Sequence, residues 1–282
     1  MQFTDAPLQP FGETLLEIAL PTQLSFKTAL VFRLVNELKQ RNYLPWTGSH
    51  RAELCFDEGL GNAMVHGNKL NAALKVRVAL FGDDARWGII IEDEGDGFGV
   101  EDVPNPDAPD FIFRESGHGI MLMESYVDEL RYNRKGNRLY MVRRRQTEPD
   151  AGDAAAAVQA EVAETPLRVG APVVSTMEGD IEIVEVLATR ITDENADAIR
   201  EATAISPGKS VILDMSRVEY IASVGLSAIV GLYKALKAQK GEFVLVSVQS
   251  AVRDILKSAH LAQLLRILPD RAAAIAELKK TS

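Results

Sequence analysis

Apolar positions along the first half of the chain change their period several times, and each change predicts an element. Residues 14–20 alternate enough to form a strand. Leu30, Leu34, Val35 and Leu38 then recur at helical spacing across Thr22–Arg41, which predicts an amphipathic helix. A second helix is predicted over Arg51–Gly67. Leu74–Phe81 and Gly88–Ile91 read as a hairpin joined at Gly82, Asp83 and Asp84. Gly117–Tyr126 is helical, and Glu129–Asn133 with Arg138–Arg144 forms another hairpin. Helices mixed with antiparallel hairpins predict a two-layer α/β sandwich with the helices on one face of the sheet.

From residue 170 the pattern becomes a steadier alternation. Val173–Met177 and Ile181–Leu187 read as strands, Asp193–Ala204 as a helix, Ser210–Asp214 as a strand and Val224–Gln239 as a long helix. Phe243–Val248 is a strand, Ala251–Ala259 a helix, Leu265–Leu268 a short strand and Arg271–Leu278 a helix. Such alternation predicts an α/β domain with a partly parallel sheet. Between the halves lies a polar, alanine-rich stretch with no aromatic residue to anchor a core. The expected organisation is a domain over residues 1–146, a linker over 147–169 and a second domain over 170–282.

Composition agrees with two ordinary cores, since the chain has 282 residues of which 46% are hydrophobic. A formal net charge of −9 argues against nucleic acid as a partner, because that affinity is mostly cationic neutralisation of phosphates. The single cysteine, Cys55, has no partner for an internal disulfide and sits in an apolar helical stretch, where it reads as a core residue. The first residues carry neither a basic patch nor a long apolar run, and no stretch approaches the ~20 apolar residues of a membrane span. The expectation is a cytoplasmic protein with no membrane partner.

Three polar and glycine-bearing segments change the picture. Glu58 and Asn62 are four apart and share one helix face, with His66 one turn further on and glycine at 59, 61 and 67. A solvated polar face is the plain reading of the pair alone. The glycines weaken such a helix by roughly 1 kcal/mol each relative to alanine, and suit a place where backbone or ligand approaches closely. An asparagine oxygen is a hard ligand suited to Mg2+, and a carboxylate one turn away can accept a proton from a nucleophile. Asp93, Gly95 and Gly97 follow a buried-type strand; a carboxylate there can accept a hydrogen bond from the adenine amine, and the glycines let the backbone pass close to a planar base. Gly117 and Gly119 open a helix whose free N–H groups form a ready phosphate site. His118 reads as a solvent-facing loop residue without a catalytic role, and Glu101–Ser116 has the size of a lid. In this order the segments predict ATP binding.

These residues resemble the GHKL ATP-binding superfamily, and within it the anti-sigma-factor serine kinases, over roughly residues 16–145. The resemblance implies that Glu58 is the catalytic base and Asn62 the magnesium ligand. It further implies that Asp93, Gly95, Gly97 and Phe98 bind adenine, and that Gly117, Gly119 and the Met121–Asp128 helix cradle the phosphates. Where the family often has Gly-Thr before its last strand, this chain has Gly136-Asn137. A histidine kinase is disfavoured, because no helical dimerisation segment with a phosphoacceptor histidine precedes the ATP site.

In the second half the conspicuous polar group is Ser223, within Ile221-Ala222-Ser223-Val224-Gly225-Leu226. By physics alone it is a helix N-cap. A serine there is also a good phosphate acceptor, because the helix dipole offsets much of the added charge. This half resembles STAS domains, the family of sulfate transporters and anti-sigma-factor antagonists, whose phosphorylated serine aligns with Ser223. Ala222 replaces the usual aspartate of that motif and Val224 its second hydroxyl residue. The two resemblances together imply an ATP- and Mg2+-dependent protein-serine kinase and anti-sigma factor fused to an antagonist-like STAS domain. Implied partners are a sigma factor or a STAS antagonist protein, and an opposing serine phosphatase; a homodimer stays open. The alternative is a non-catalytic ATP-binding interaction module with a sensing or docking STAS domain.

Overall fold

The structure is a computed structural model that describes residues 1–45, 49–105, 108, 111–114, 117–146, 172–201 and 209–281. The expected linker lies outside the described residues, as does part of the expected lid. The chain divides into two compact units, each a mixed α/β fold.

The first unit is built on a six-stranded sheet. Its strands are β1 (Gln2–Thr4), β2 (Glu13–Pro21), β3 (Lys75–Gly82), β4 (Arg86–Asp93), β5 (Glu129–Asn133) and β6 (Arg138–Arg144), in the order β1-β5-β6-β4-β3-β2. Neighbours run antiparallel except β1, which lies parallel to β5 with Gln2 opposite Arg131. The pattern did not predict β1, a strand too short to show a period. The helices are α1 (Lys27–Gln40), α2 (His50–Gly61) and α3 (His118–Tyr126).

Alternation along β4 sets its two faces. Trp87, Ile89 and Ile91 are fully or nearly fully buried towards α2, where the Phe56 ring meets Trp87 edge-on at 5.5 Å. Gly59 lets α2 lie directly on the strands, since a β-carbon there would stand 2.8 Å from Ile91 Cδ1 and 2.9 Å from Leu139 Cδ2. On the opposite face Phe81, Ile90, Tyr140 and Val142 are covered by Leu8 and Phe11 from the segment before β2. Cys55 is buried in α2, and burial pushes its thiol up to about 12, as expected of an inert core residue.

The second unit has a five-stranded sheet in the order β13-β12-β10-β8-β7, from β7 (Val173–Glu178), β8 (Ile181–Val186), β10 (Ser210–Asp214), β12 (Phe243–Val246) and β13 (Arg266–Leu268). Four strands are parallel and β7 is antiparallel to β8, the partly parallel sheet that the alternation predicts. Two dipeptide strands that the pattern does not reveal, β9 (Arg190–Ile191) and β11 (Tyr220–Ile221), pair separately. The helices are α4 (Ala196–Glu201), α5 (Ser223–Ala238), α6 (Ser250–Ser258) and α7 (Arg271–Thr281). On one side of the sheet, Ala274 and Leu278 of α7 join a core with Ile181, Ile183, Ile212, Val244 and Val246. Leu226, Ile229, Val230 and Leu232 make the buried face of α5. Among the described residues, no helix is long and apolar enough to cross a membrane.

Candidate functional site

The helix that carries Glu58 and Asn62 changes its winding at Asn62. Residues Asn62–Gly67 form a π turn, in which the Asn68 N–H donates to the Ala63 carbonyl, five residues back, at 2.8 Å. Single π turns inside helices recur at functional sites, where the extra residue re-aims the side chains around it. Asn68, just beyond, is buried and fixes this end. Its amide nitrogen donates to Thr22 Oγ1 at 2.8 Å and to the Lys75 carbonyl at 3.0 Å, while its oxygen accepts the Glu94 N–H at 2.9 Å. One side chain thus ties the helix end to β2, β3 and the end of β4. Sequence reasoning passed over Asn68; its only signal was its place directly after the helix-ending glycine.

Glu58 does not belong to a solvated face. It is 6% exposed, and its carboxylate packs against the backbone of Gly119 so closely that a β-carbon on Gly119 would overlap Glu58 Oε2. The preceding residue, Asp57, turns the other way and is also buried. Lys27 Nζ of α1 lies 3.0 Å from Asp57 Oδ1 and 3.1 Å from Oδ2. This buried pair fixes the rotation of α2 against α1. Neither partner was singled out in the sequence, because a charge on an amphipathic helix ordinarily faces water.

Asp93 ends β4 and is 7% exposed. The Gly95 N–H donates to Oδ1 at 2.9 Å, and Gly67 packs on the same group, with space for no side chain: a β-carbon there would stand 2.5 Å from the carboxylate oxygens. Burial pushes this carboxyl up from 3.8 to about 6, against the opposing pull of the Gly95 N–H and the Lys135 charge. Asn137 anchors the strand end from the other side. The Asp93 N–H donates to the Asn137 carbonyl at 3.0 Å, and the Asn137 amide nitrogen donates to the Asp93 carbonyl at 2.8 Å. The departure Gly136-Asn137 therefore places a structural tie under Asp93.

The glycines after Asp93 have a protein neighbour where a ligand was expected. Gly95 sits on the Gly67 carbonyl, and Gly97, at φ +80°, sits on the Lys135 carbonyl with no room for a β-carbon. These contacts dock the loop on the β5–β6 turn. Phe98 follows into an aromatic cluster with Phe3 (5.5 Å) and Tyr132 (4.8 Å).

Gly117, at φ +96°, leads into α3, whose first residue is His118. The reading of His118 as a solvent-facing loop residue is overturned. It is 1% exposed beside the Phe111 ring, neither ring nitrogen has a hydrogen-bond partner among the described residues, and burial holds its pKa down. An aromatic ring in the adjoining segment accounts for this, and the loop composition gave no sign of it.

Tyr132 is a further group that the sequence did not reveal. It lies on β5, packed on Phe3 and Phe98, and is 3% exposed. Burial raises its phenol, the Asn62 side chain lowers it, and the Asp93 and Glu58 carboxylates raise it further.

Ser223 is corrected by one position. The N-cap of α5 is Ala222, with extended backbone at φ −81° and ψ 168° and no side-chain cap hydrogen bond; its carbonyl accepts the Gly225 and Leu226 N–H groups. Ser223 is the first helical residue, half-buried, and its carbonyl accepts the Ser227 hydroxyl at 2.9 Å. The dipole argument survives the shift, since Ser223 still lies in the first turn of the helix.

The donor set bears on which ligand fits. Among the described residues, no group of three or more His, Cys, Asp or Glu side chains is placed to hold a metal ion. A divalent cation here would take the Asn62 oxygen and draw its other ligands from water and phosphate, which is how Mg2+ binds alongside nucleotides. Among the described residues, the buried Asn62 amide nitrogen has no hydrogen-bond partner. The residues fit a Mg2+–nucleotide and do not fit a resident metal held by protein alone.

The family model for the histidine kinase-like ATPase domain matches residues 20–143, and that for the STAS domain matches residues 178–274. A candidate anti-sigma factor antagonist of Bordetella bronchiseptica, BtrV, is 27% identical over 100 residues, spanning 34% of this chain and 86% of that protein. Among solved structures, a STAS-domain anti-sigma-factor antagonist protein of Planctomyces limnophilus is 20% identical over 39% of this chain and 98% of its own, with a TM-score of 0.36. An anti-sigma factor antagonist of Mycobacterium paratuberculosis is 22% identical over 38% and 92%, with a TM-score of 0.35. The first half of the chain thus matches the histidine kinase-like ATPase domain and the second half the STAS domain.

Proposed function

We propose that the protein is a partner-switching regulator: an ATP- and Mg2+-dependent protein-serine kinase and anti-sigma factor joined to an antagonist-like STAS domain. The observation that carries this reading is the Glu58 carboxylate seated on the backbone of Gly119 at the start of α3. A proton acceptor then adjoins the helix end whose N–H groups suit phosphate. Asp93 accepts the adenine amine through Oδ2, Oδ1 being engaged by the Gly95 N–H. Gly95 and Gly97 hold the loop against the protein so that this carboxylate faces the base. The first turn of α3, entered through Gly117, offers its N–H groups to the phosphates.

When bound, Mg2+ neutralises charge on the transferring phosphoryl group, and Asn62 supplies one of its oxygens. Glu58 takes the proton of an acceptor serine as its Oγ forms the bond to the γ-phosphorus. The bond from that phosphorus to the β–γ bridging oxygen breaks, and ADP leaves with the electron pair. The acceptor is a serine at the first turn of a STAS helix, on a partner protein or at Ser223 of this chain. Incubation with ATP labelled in its γ-phosphate, alone and with a STAS protein, tests the reading. It expects label mapped to such a serine; ATP bound with no label transferred to any STAS serine favours the non-catalytic interaction module.

A further inference from the structure

Two buried asparagines hold the backbone of Asp93 and Glu94 from opposite sides. The ladder between β4 and β6 ends at Glu92, opposite Arg138, and Asn137 takes over where that pairing stops. Its carbonyl accepts the Asp93 N–H at 3.0 Å, and its amide nitrogen donates to the Asp93 carbonyl at 2.8 Å. The next N–H, that of Glu94, donates to the Asn68 side-chain oxygen at 2.9 Å. Both asparagines are themselves braced. Asn68 donates to Thr22 Oγ1 and to the Lys75 carbonyl, and Asn137 Oδ1 accepts from Asn133 Nδ2 at 2.9 Å. The Glu94 carboxylate adds a third tie, accepting the Lys75 N–H and the Arg77 guanidinium, each at 2.9 Å.

We propose that Asn68 and Asn137 are positioning residues for Asp93, clamping its backbone so that the carboxylate meets the exocyclic amine of adenine and rejects a purine with an oxygen in that place. Successive side chains on a strand point to opposite faces, so the set of the peptides at 93 and 94 decides where the carboxylate aims. Its own hydrogen bond, from the Gly95 N–H to Oδ1, joins two residues of one segment and moves with it. The asparagines instead fasten that segment to elements distant in sequence, Asn68 to the end of the π turn and Asn137 to the turn between β5 and β6. An ionised carboxylate can only accept, so it pairs with an amine and repels a carbonyl oxygen. That repulsion discriminates only while the carboxylate is held still; one free to swing aside evades it.

This inference rests on the proposed ATP site. Its test compares ATP with inosine triphosphate, which carries a carbonyl oxygen in place of the adenine amine. Both are titrated by calorimetry into the parent, Asn68→Ala and Asn137→Ala at pH 8, where Asp93 is ionised. The parent should prefer ATP by ~10–100-fold, the worth of a hydrogen bond to a charged group. Each variant should lose about tenfold of that preference, chiefly through weaker ATP binding. Thermal melts establish that the variants are folded, and serine replaces alanine at a position where the alanine variant is not. A folded variant at either position that keeps the parental preference, or that weakens both nucleotides alike, overturns the inference and leaves the ATP site standing. A parent that binds both nucleotides equally overturns the adenine contact of Asp93 and the inference with it; a parent that binds neither overturns the ATP site as a whole.

Discussion

Asp93→Asn should make the protein more stable and a poorer ATP binder at once. Burial raises the Asp93 carboxyl from 3.8 to about 6, so the fold favours its protonated form. The stability tied to that proton is full below about pH 4 and is lost as pH rises through about 6. Above pH 6 the protein carries a buried carboxylate that the fold disfavours by at most ~3 kcal/mol, and by ~1–2 kcal/mol once screening by solvent at the mouth of the site is allowed for. Asparagine is neutral throughout and its oxygen still accepts the Gly95 N–H. The variant should therefore gain ~1–2 kcal/mol at pH 8, a rise in Tm of about 3–6 °C, with the gain vanishing towards pH 4. Tryptophan emission reads this unfolding cleanly, because both tryptophans, Trp46 and Trp87, lie in the first half. The same substitution turns an amide donor towards the adenine amine, since the single oxygen is already used. ATP affinity should fall ~10–100-fold by titration calorimetry. A variant destabilised equally at pH 8 and pH 4 refutes the reasoning about burial, and unchanged ATP affinity refutes the adenine contact.

Three further outcomes follow from the same geometry. Lys27→Met leaves Asp57 without its buried cation and should lower stability by ~3 kcal/mol in urea melts, against ~0–1 kcal/mol for an exposed pair such as Arg86–Asp83. The ATP affinity of the parent should weaken below pH 6 as Asp93 becomes protonated, a trend that titrations across pH 5–8 would reveal and that Asp93→Asn should lack. Ser223 should acquire phosphate slowly with Mg2+ and ATP, detected by mass spectrometry and absent in Ser223→Ala; a rate unaffected by dilution indicates transfer within one chain or a stable dimer.

Long-period patterns carried most of the fold. The helix over Lys27–Gln40, the hairpin of β3 and β4 and the alternating second domain were all legible, because each repeats its apolar period over several turns or residues. Strands of two or three residues, β1, β9 and β11, show no period and could only be found in space. Within the site, Glu58, Asn62 and Asp93 stood out as polar groups in otherwise apolar elements. What failed was the environment of each. The burial of Glu58, Asp57 and His118, the tie made by Asn137 and the presence of Tyr132 all depend on residues distant in sequence. The glycines at 95 and 97 were read as letting the backbone pass a planar base, whereas the neighbours that crowd them are the carbonyls of Gly67 and Lys135. Ser223 was placed within one residue, since a helix start can be read from sequence while its cap depends on backbone angles.

The most direct test of the kinase reading measures binding and phosphoryl transfer side by side in the parent and in Glu58→Gln. Glutamine keeps the shape of the side chain against Gly119 and cannot accept the proton at neutral pH. ATP affinity should stay within about twofold, because the adenine and phosphate contacts remain. Transfer of the labelled γ-phosphate to a STAS serine should fall ~10²–10⁴-fold, the usual contribution of a general base. Transfer by Glu58→Gln at the parental rate, with ATP bound equally in both, would contradict the account.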